Sequence, residues 1–394
     1  MSDDIFRHGG AIDLASEHYN IPVDHWLDLS TGINPTPYPI TDAPAKTWHR
    51  LPLKRDTDAV LAAAKQYYGI VSMDHIACGP GTQALIQLVP FILAKTANIN
   101  SVAIFGPTYG EHAPAWQRAH IRTTEIYATP DMRQAIVRNS PTGAVSPGAS
   151  LAPHIEPKCR SSDFGWSGLT PDHDLADVIN THDAFVIVNP NNPDGGLIDQ
   201  NSLFSFATYL QKRGKYLIID EAFADTAPDV SLCPKIHELT NTIILRSFGK
   251  FFGLAGIRVG FAAAHPAMIA DITDRLGPWA VSGPALHITT HALGDQTWHQ
   301  TMRNRLAAQA KWLDQAVLHA TDCELVGGTS LLRLYRGCRL PDLQKHLARQ
   351  GIWVRGFTDA PNWLRFGLPG ISTNQRRLIS VLSDFPARTG TTKV

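Results

Sequence analysis

Between about residues 56 and 275, short apolar runs alternate with longer amphipathic stretches. The runs are "SVAIF" (101–105), "AFVIVNP" (184–190), "YLIID" (216–220), "TIILRSF" (242–248) and "RVGFAAA" (258–264). Rich in Val and Ile, they lack the polar alternation of a strand with one wet face, which predicts strands covered on both faces. Between them "TQALIQLVPFILA" (82–94) and "SLFSFATYLQKRG" (202–214) read as helices, the second closed by Gly214. Such alternation predicts an α/β layer around a mostly parallel sheet.

Near Leu276 the pattern changes. A long helical stretch runs from Pro284 to Ala320, with a break expected around Gly294. Short strands follow in "TSLLRLY", "GIWVR" and "WLRFGL", with a helix in "PDLQKHLARQ". A last helix starts at Ser372, where Gln375 three residues on points to a capping box. These signals predict a large domain over 46–275, a smaller α+β domain over 276–394, and an arm over 1–45 that joins the smaller domain. Residues 130–171, dense in Pro, Ser and Gly, predict an irregular insertion and are assigned no function.

Charge and cysteine content narrow the partners. Lys+Arg and Asp+Glu both number 35, so no net field favours nucleic acid or an anionic membrane surface, and an anionic ligand must be held by a few placed groups. The 5 cysteines are scattered without a C-x-x-C spacing, which indicates neither a disulfide framework nor a metal cluster and makes a reducing cytoplasm the expected location. The start "MSDDIFRHGG" is polar, and no stretch reaches the roughly 18 apolar residues of a membrane span.

In a parallel sheet ligands collect beyond the carboxyl ends of the strands, and that is where the polar motifs fall. "NPNNPDG" (189–195) follows one strand, "DEAF" (220–223) closes another, and "SFGK" (247–250) follows a third. "GPGT" (79–82) opens a helix whose first amides, with Thr82, can hold a phosphate. "GPTYGE" (106–111) puts an aromatic at a fourth strand end. Lys250 itself stands among glycines, aromatics and aliphatics, where a lysine that gives up its charge is a nucleophile.

Together these motifs resemble the aspartate-aminotransferase-like, fold-type I family of pyridoxal-phosphate (PLP) enzymes. The resemblance implies that Lys250 carries the cofactor as a Schiff base and that Asp220 keeps its ring nitrogen protonated. It also implies that Asn192 bonds the ring O3′, that Tyr109 stacks on the ring, and that Gly81, Thr82, Ser247 and Arg258 hold the phosphate. Many members carry tyrosine after "DEA"; Phe223 stands here, so that hydroxyl is missing and Asn192 is left as the main O3′ partner.

"HGG" (8–10) and "WLDLSTGINPTPYP" (26–39) are similar to the threonine-phosphate decarboxylases of cobalamin biosynthesis. Those enzymes convert O-phospho-L-threonine to (R)-1-amino-2-propanol phosphate. This likeness implies substrate contacts from His8, Gly9, Asn34 and Asn192, with Arg355 and Arg365 binding the substrate's two anions. A phosphate clamped by Arg355 and His8 is expected to turn the carboxylate out of the ring plane, the orientation that decarboxylation needs. Histidinol-phosphate aminotransferases share the fold and a phosphorylated substrate and give the alternative reading. A scaffold without catalysis is disfavoured by the intact set of Lys250, Asp220 and Arg258. The resemblance further implies a homodimer, and adenosylcobinamide-phosphate synthase as a partner to which the product passes.

Overall fold

The computed structural model describes residues 9–40, 43–127 and 175–386. Its strands are β1 (Leu27–Leu29), β2 (Ile76–Gly79), β3 (Ser101–Gly106), β4 (Arg122–Tyr127), β5 (Ala184–Val188), β6 (Tyr216–Asp220), β7 (Thr242–Ser247), β8 (Gly260–Ala264), β9 (Glu324–Thr329), β10 (Leu332–Arg336), β11 (Ile352–Gly356) and β12 (Trp363–Gly367). The described residues fall into two compact units, one of 9–36 with 304–386 and one of 37–40, 43–127 and 175–303.

In the larger unit a seven-stranded sheet has the order β2-β8-β7-β6-β5-β3-β4. β4, β3, β5, β6 and β7 are parallel, and β8 runs against both its neighbours. Every residue of β3 and β5 is buried, as their unbroken apolar runs require. Helix Thr82–Thr96 covers one face with Leu85, Val89, Ile92 and Leu93, packed with Val102, Ile104, Val186 and Ile218 of the strands. Register sets Val188 beside Asp220 and Asp220 beside Leu245, so β5 and β6 end level, β7 runs on two residues to Ser247, and the residues that follow the three strands share one edge.

The run expected at 258–264 becomes a strand only at Gly260, because Arg258 adopts left-handed backbone at φ 55°. β2 and β4 lie at the two edges of the sheet, where β4 can carry "RTTEIY", a sequence too polar to stand out as a buried run.

The smaller unit holds a five-stranded sheet of order β1-β11-β12-β10-β9. β1 pairs parallel with β11, Leu27 opposite Ile352, which ties the N-terminal segment into this sheet. "TSLLRLY" is not one strand: Thr329 ends β9, Leu332 begins β10, and the two pair across a tight turn. The two glycines of β9 and its half-buried pattern conceal it in the sequence. No capping box forms at Ser372; Ile371 takes the cap position without a side-chain bond, and Gln375 Nε2 instead donates to the Gly370 carbonyl at 3.3 Å.

The long helical stretch does break as expected, into Gly283–Gly294 and Gln296–Ala320. The units divide at 36/37 and 303/304 rather than near 45 and 275, because helix Gly283–Gly294 packs on helix Lys54–Tyr68. A Cβ at Gly283 would come within 2.6 Å of the Thr47 carbonyl oxygen, so this segment is fitted to the larger unit. The expected insertion at 130–171 lies outside the described residues. Cys78, Cys233 and Cys323 are free thiols, whereas Cys338 is disulfide-bonded and lends the reducing-compartment expectation no support. Among the described residues no helix is long and apolar enough to cross a membrane, and no cluster of three or more metal-ligating side chains occurs.

Candidate active site

The carboxyl ends of β3, β5, β6 and β7 and the start of helix Thr82–Thr96 surround one pocket of the larger unit. Its lining includes Gly81, Thr82, Tyr109, Asn192, Asp220, Phe223, Ser247, Lys250 and Arg258. Asp220, at the last position of β6, is 3% exposed, so its charge must be supported by the protein or by a ligand. His112 Nε2 lies 3.1 Å from Asp220 Oδ2, and the Ala222 amide donates to Oδ1 at 2.9 Å. A carboxylate can only accept, which places the His112 proton on Nε2.

At the other wall Lys250 lies in the short helix Phe248–Phe251 that follows β7, its Nζ 5.8 Å from the centroid of the Phe223 ring. Tyr109 meets His112 edge to face at 6.0 Å and donates through its hydroxyl to Gln83 Oε1 at 3.2 Å; Gln83 Nε2 donates in turn to Glu111 at 3.0 Å. The phenol is therefore held from two sides.

Gly81, at φ 89°, lies against the Arg258 guanidinium; a Cβ there would come within 2.6 Å of Arg258 Nη2. A Cβ at Gly260 would meet the Thr82 amide nitrogen at 2.4 Å, so bare backbone is what lets β8 approach the helix start. Arg258 keeps a left-handed backbone that costs a non-glycine residue about 1–3 kcal/mol, and strain of that kind gathers at ligand clamps. A buried carboxylate, a half-buried amine, an exposed arginine and a helix N-terminus make a set of groups that fits a ligand with a basic ring nitrogen, a carbonyl carbon and a phosphate.

In the smaller unit Arg355 and Arg365 are direct partners across β11 and β12. Like charges directly opposite each other destabilise a strand pair. Arg365 Nη2 donates to the Ser30 carbonyl at 2.7 Å, and Ser30 Oγ accepts the Gly10 amide at 2.7 Å. A Cβ at Gly9 would lie 2.4 Å from the Ser30 carbonyl oxygen. Burial holds the Arg355 guanidinium down to about 10, well below its usual value. Two cations thus lie side by side on one face of the sheet, with Arg365 7% exposed.

The chain matches the family described as aminotransferase class I and II over residues 26–380. It is 35% identical to a threonine-phosphate decarboxylase of a Sinorhizobium species, covering 95% of this chain and 97% of that protein. Its identity to a threonine-phosphate decarboxylase of Pseudomonas aeruginosa is 34%, covering 97% and 98%. Among solved structures, a histidinol-phosphate aminotransferase of Sinorhizobium meliloti in complex with pyridoxal-5'-phosphate superposes with a TM-score of 0.69 at 16% identity, covering 94% of this chain and 93% of that one. The chain belongs to the class I and II aminotransferase family.

Of the residues that the resemblance to aminotransferases singles out for a cofactor, Gly81, Thr82, Tyr109, Asn192, Asp220, Ser247, Lys250 and Arg258 all border the one pocket. The Thr82 hydroxyl, however, donates to the Arg246 carbonyl at 3.0 Å, so what this position offers an anion is its helix-start backbone. Gly9, Asn34, Arg355 and Arg365 lie in the smaller unit, and His8 lies outside the described residues. Asn34 is buried and its Oδ1 accepts the Thr36 amide at 2.8 Å, the geometry of a plain Asx turn. Sequence reasoning missed His112; its only signal is its position three residues after Tyr109, and it opens the helix His112–Arg118 that follows that aromatic.

Proposed function

We propose that this protein is a threonine-phosphate decarboxylase, taking O-phospho-L-threonine to (R)-1-amino-2-propanol phosphate and carbon dioxide in cobalamin biosynthesis with PLP as cofactor. The observation that carries the reading is likeness over nearly the whole chain to two proteins of that name, at 34–35% identity. The pocket and the arginine pair supply what such a reaction needs.

Bound PLP supplies an electron sink for the pair released when a bond at the substrate α-carbon breaks. Lys250 Nζ would be the amine that holds its carbonyl carbon and the acid or base placed to move a proton at the substrate α-carbon. Asp220, oriented by His112 and the Ala222 amide, holds the proton on the ring nitrogen. Tyr109 would hold its ring by its aromatic face, Asn192 by a hydrogen bond, and Gly81, Thr82, Ser247 and Arg258 would hold its phosphate. Phe223 contributes apolar surface and excludes water where relatives offer a hydroxyl. Arg355 and Arg365 would bind the substrate's phosphate and carboxylate, with His8 sharing the grip on the phosphate.

The protein works in the cytoplasm as a homodimer and passes its product to adenosylcobinamide-phosphate synthase. Product analysis tests the reaction: purified, PLP-loaded protein is incubated with O-phospho-L-threonine, with and without 2-oxoglutarate. Carbon dioxide and aminopropanol phosphate formed without a keto acid support the reading. Glutamate formed only with 2-oxoglutarate, and no carbon dioxide, would make the protein an aminotransferase.

A further inference from the structure

A charged cluster stands beside the pocket without lining it. Glu221 follows Asp220 at the end of β6, Arg246 precedes Ser247 at the end of β7, and Asp225 lies one short turn on. Arg246 Nη1 donates to Glu221 Oε2 at 2.5 Å and to Ser231 Oγ at 3.2 Å, while Nη2 donates to Asp225 Oδ1. Glu221 also accepts from Ser231 Oγ at 2.5 Å and from the Leu232 amide at 2.8 Å. The guanidinium lies 4.5 Å from the centroid of the Tyr68 ring. All three charged side chains are within 2% of full burial.

Burying three charges is a poor route to stability, since apolar residues of similar volume often serve as well or better. What apolar residues would not give is a fixed spacing between strand ends. The main chain here supports that use: the Arg246 carbonyl accepts the Thr82 hydroxyl at 3.0 Å, and the Glu221 amide donates to the Leu245 carbonyl at 2.8 Å. One residue thus reaches Thr82, Asp220 through Glu221, and Ser247 through the chain.

We propose that Arg246 is a positioning residue of the pocket, clamped between Glu221 and Asp225 so that it fixes the distance between Asp220 on β6 and Lys250 beyond β7 while holding Thr82 in place. The inference rests on the PLP reading of that pocket and goes beyond it by giving the adjacent ion cluster a share in cofactor affinity.

The test compares wild type, Arg246→Lys, Arg246→Met and Glu221→Gln as full-length protein. Each is titrated with PLP by absorbance, and Tm is measured with and without saturating PLP. Arg246→Lys keeps the charge but not the two-armed fork, and Glu221→Gln keeps the shape but not the charge. A weakened site shrinks the cofactor-induced rise in Tm by mass action, whereas lost structural support lowers both values together. Expected are a loss of PLP affinity of about tenfold or more in Glu221→Gln and Arg246→Met, a narrower Tm gap, and a milder loss in Arg246→Lys. Asp314→Asn, which breaks the 2.7 Å ion pair with Arg333 in the smaller unit, should lower Tm and leave the gap alone. Equal falls in both Tm values with unchanged affinity would overturn the proposal. If Arg246→Met does not fold, Glu221→Gln and Arg246→Lys decide. A wild type with no cofactor-dependent Tm rise would sink the PLP reading itself, a result no variant can imitate.

Discussion

At the end of β7 the Arg246 guanidinium is enclosed by the carboxylates of Glu221 and Asp225; on the smaller sheet, Arg355 has Arg365 directly across from it. Both settings are costly, but the costs differ in kind. Around Arg246, burial would lower the guanidinium pKa, yet the two carboxylates outweigh it and drive the value up, so the charge is answered within the protein. Around Arg355, burial prevails and the value falls to about 10. Carboxylates on two sides fix the geometry of Arg246, and two arginines set side by side are the feature on which the proposed anion binding rests. The larger unit is accordingly read as the seat of chemistry and the smaller as the seat of anion recognition.

The largest effect separates these roles. Lys250→Ala should lower turnover by about 10³-fold or more, since it removes the amine proposed to hold the cofactor and move the proton. The visible absorption of the purified protein should vanish with it. Inorganic phosphate should still raise Tm in this variant, because the arginine pair is intact. Loss of that response would mean recognition and chemistry are not divided as drawn.

A smaller effect sharpens the recognition side. Hydrogen bonds to a charged group are worth about 1.5–3 kcal/mol, so Arg355→Met should reduce kcat/KM roughly 10- to 100-fold, mostly through KM. Its stability should move the other way. A cation whose folded pKa is depressed to about 10 costs the fold stability at every pH below that value, and the cost fades only as pH rises beyond it. At neutral pH the whole cost is present, so the ligand-free variant should melt at or above wild type. A clear drop in its ligand-free Tm would show that the interactions of the Arg355 guanidinium outweigh the cost of its burial, as those of Arg246 do.

Legibility followed chemical necessity. The apolar runs of β3, β5, β6 and β7 could be read because strands buried on both faces admit little else, and the polar residues after them stand out against that background. The Arg355–Arg365 pairing could not be read, because register is set by strands β11 and β12 meeting in space and "GIWVR" and "WLRFGL" do not encode it. His112 and the Glu221–Asp225–Arg246 cluster were hidden for a related reason: each acts on a residue distant in sequence, and as isolated letters they look like ordinary surface charge. The capping box at Ser372 failed because Gln375 found the Gly370 carbonyl instead.

The smallest expected effect concerns Phe223. It is buried against the pocket, with Lys250 Nζ 5.8 Å from its ring centre. Phe223→Tyr adds a hydroxyl there, and a buried hydroxyl without a partner costs about 1–3 kcal/mol, so the cofactor-free variant should be less stable. With PLP present the hydroxyl can donate to the ring oxygen, recovering part of that loss. Such a donor favours the deprotonated oxygen, which lowers the pH midpoint of the visible absorption change. A net hydrogen bond of about 0.5–1.5 kcal/mol corresponds to a fall of roughly 0.4–1 pH unit. An unchanged midpoint would place the ring oxygen out of reach of this side chain and leave Asn192 to set its protonation alone. A fall of the expected size would show that the chemical half of the molecule is tuned by an absent hydroxyl, as its recognition half is tuned by a second arginine.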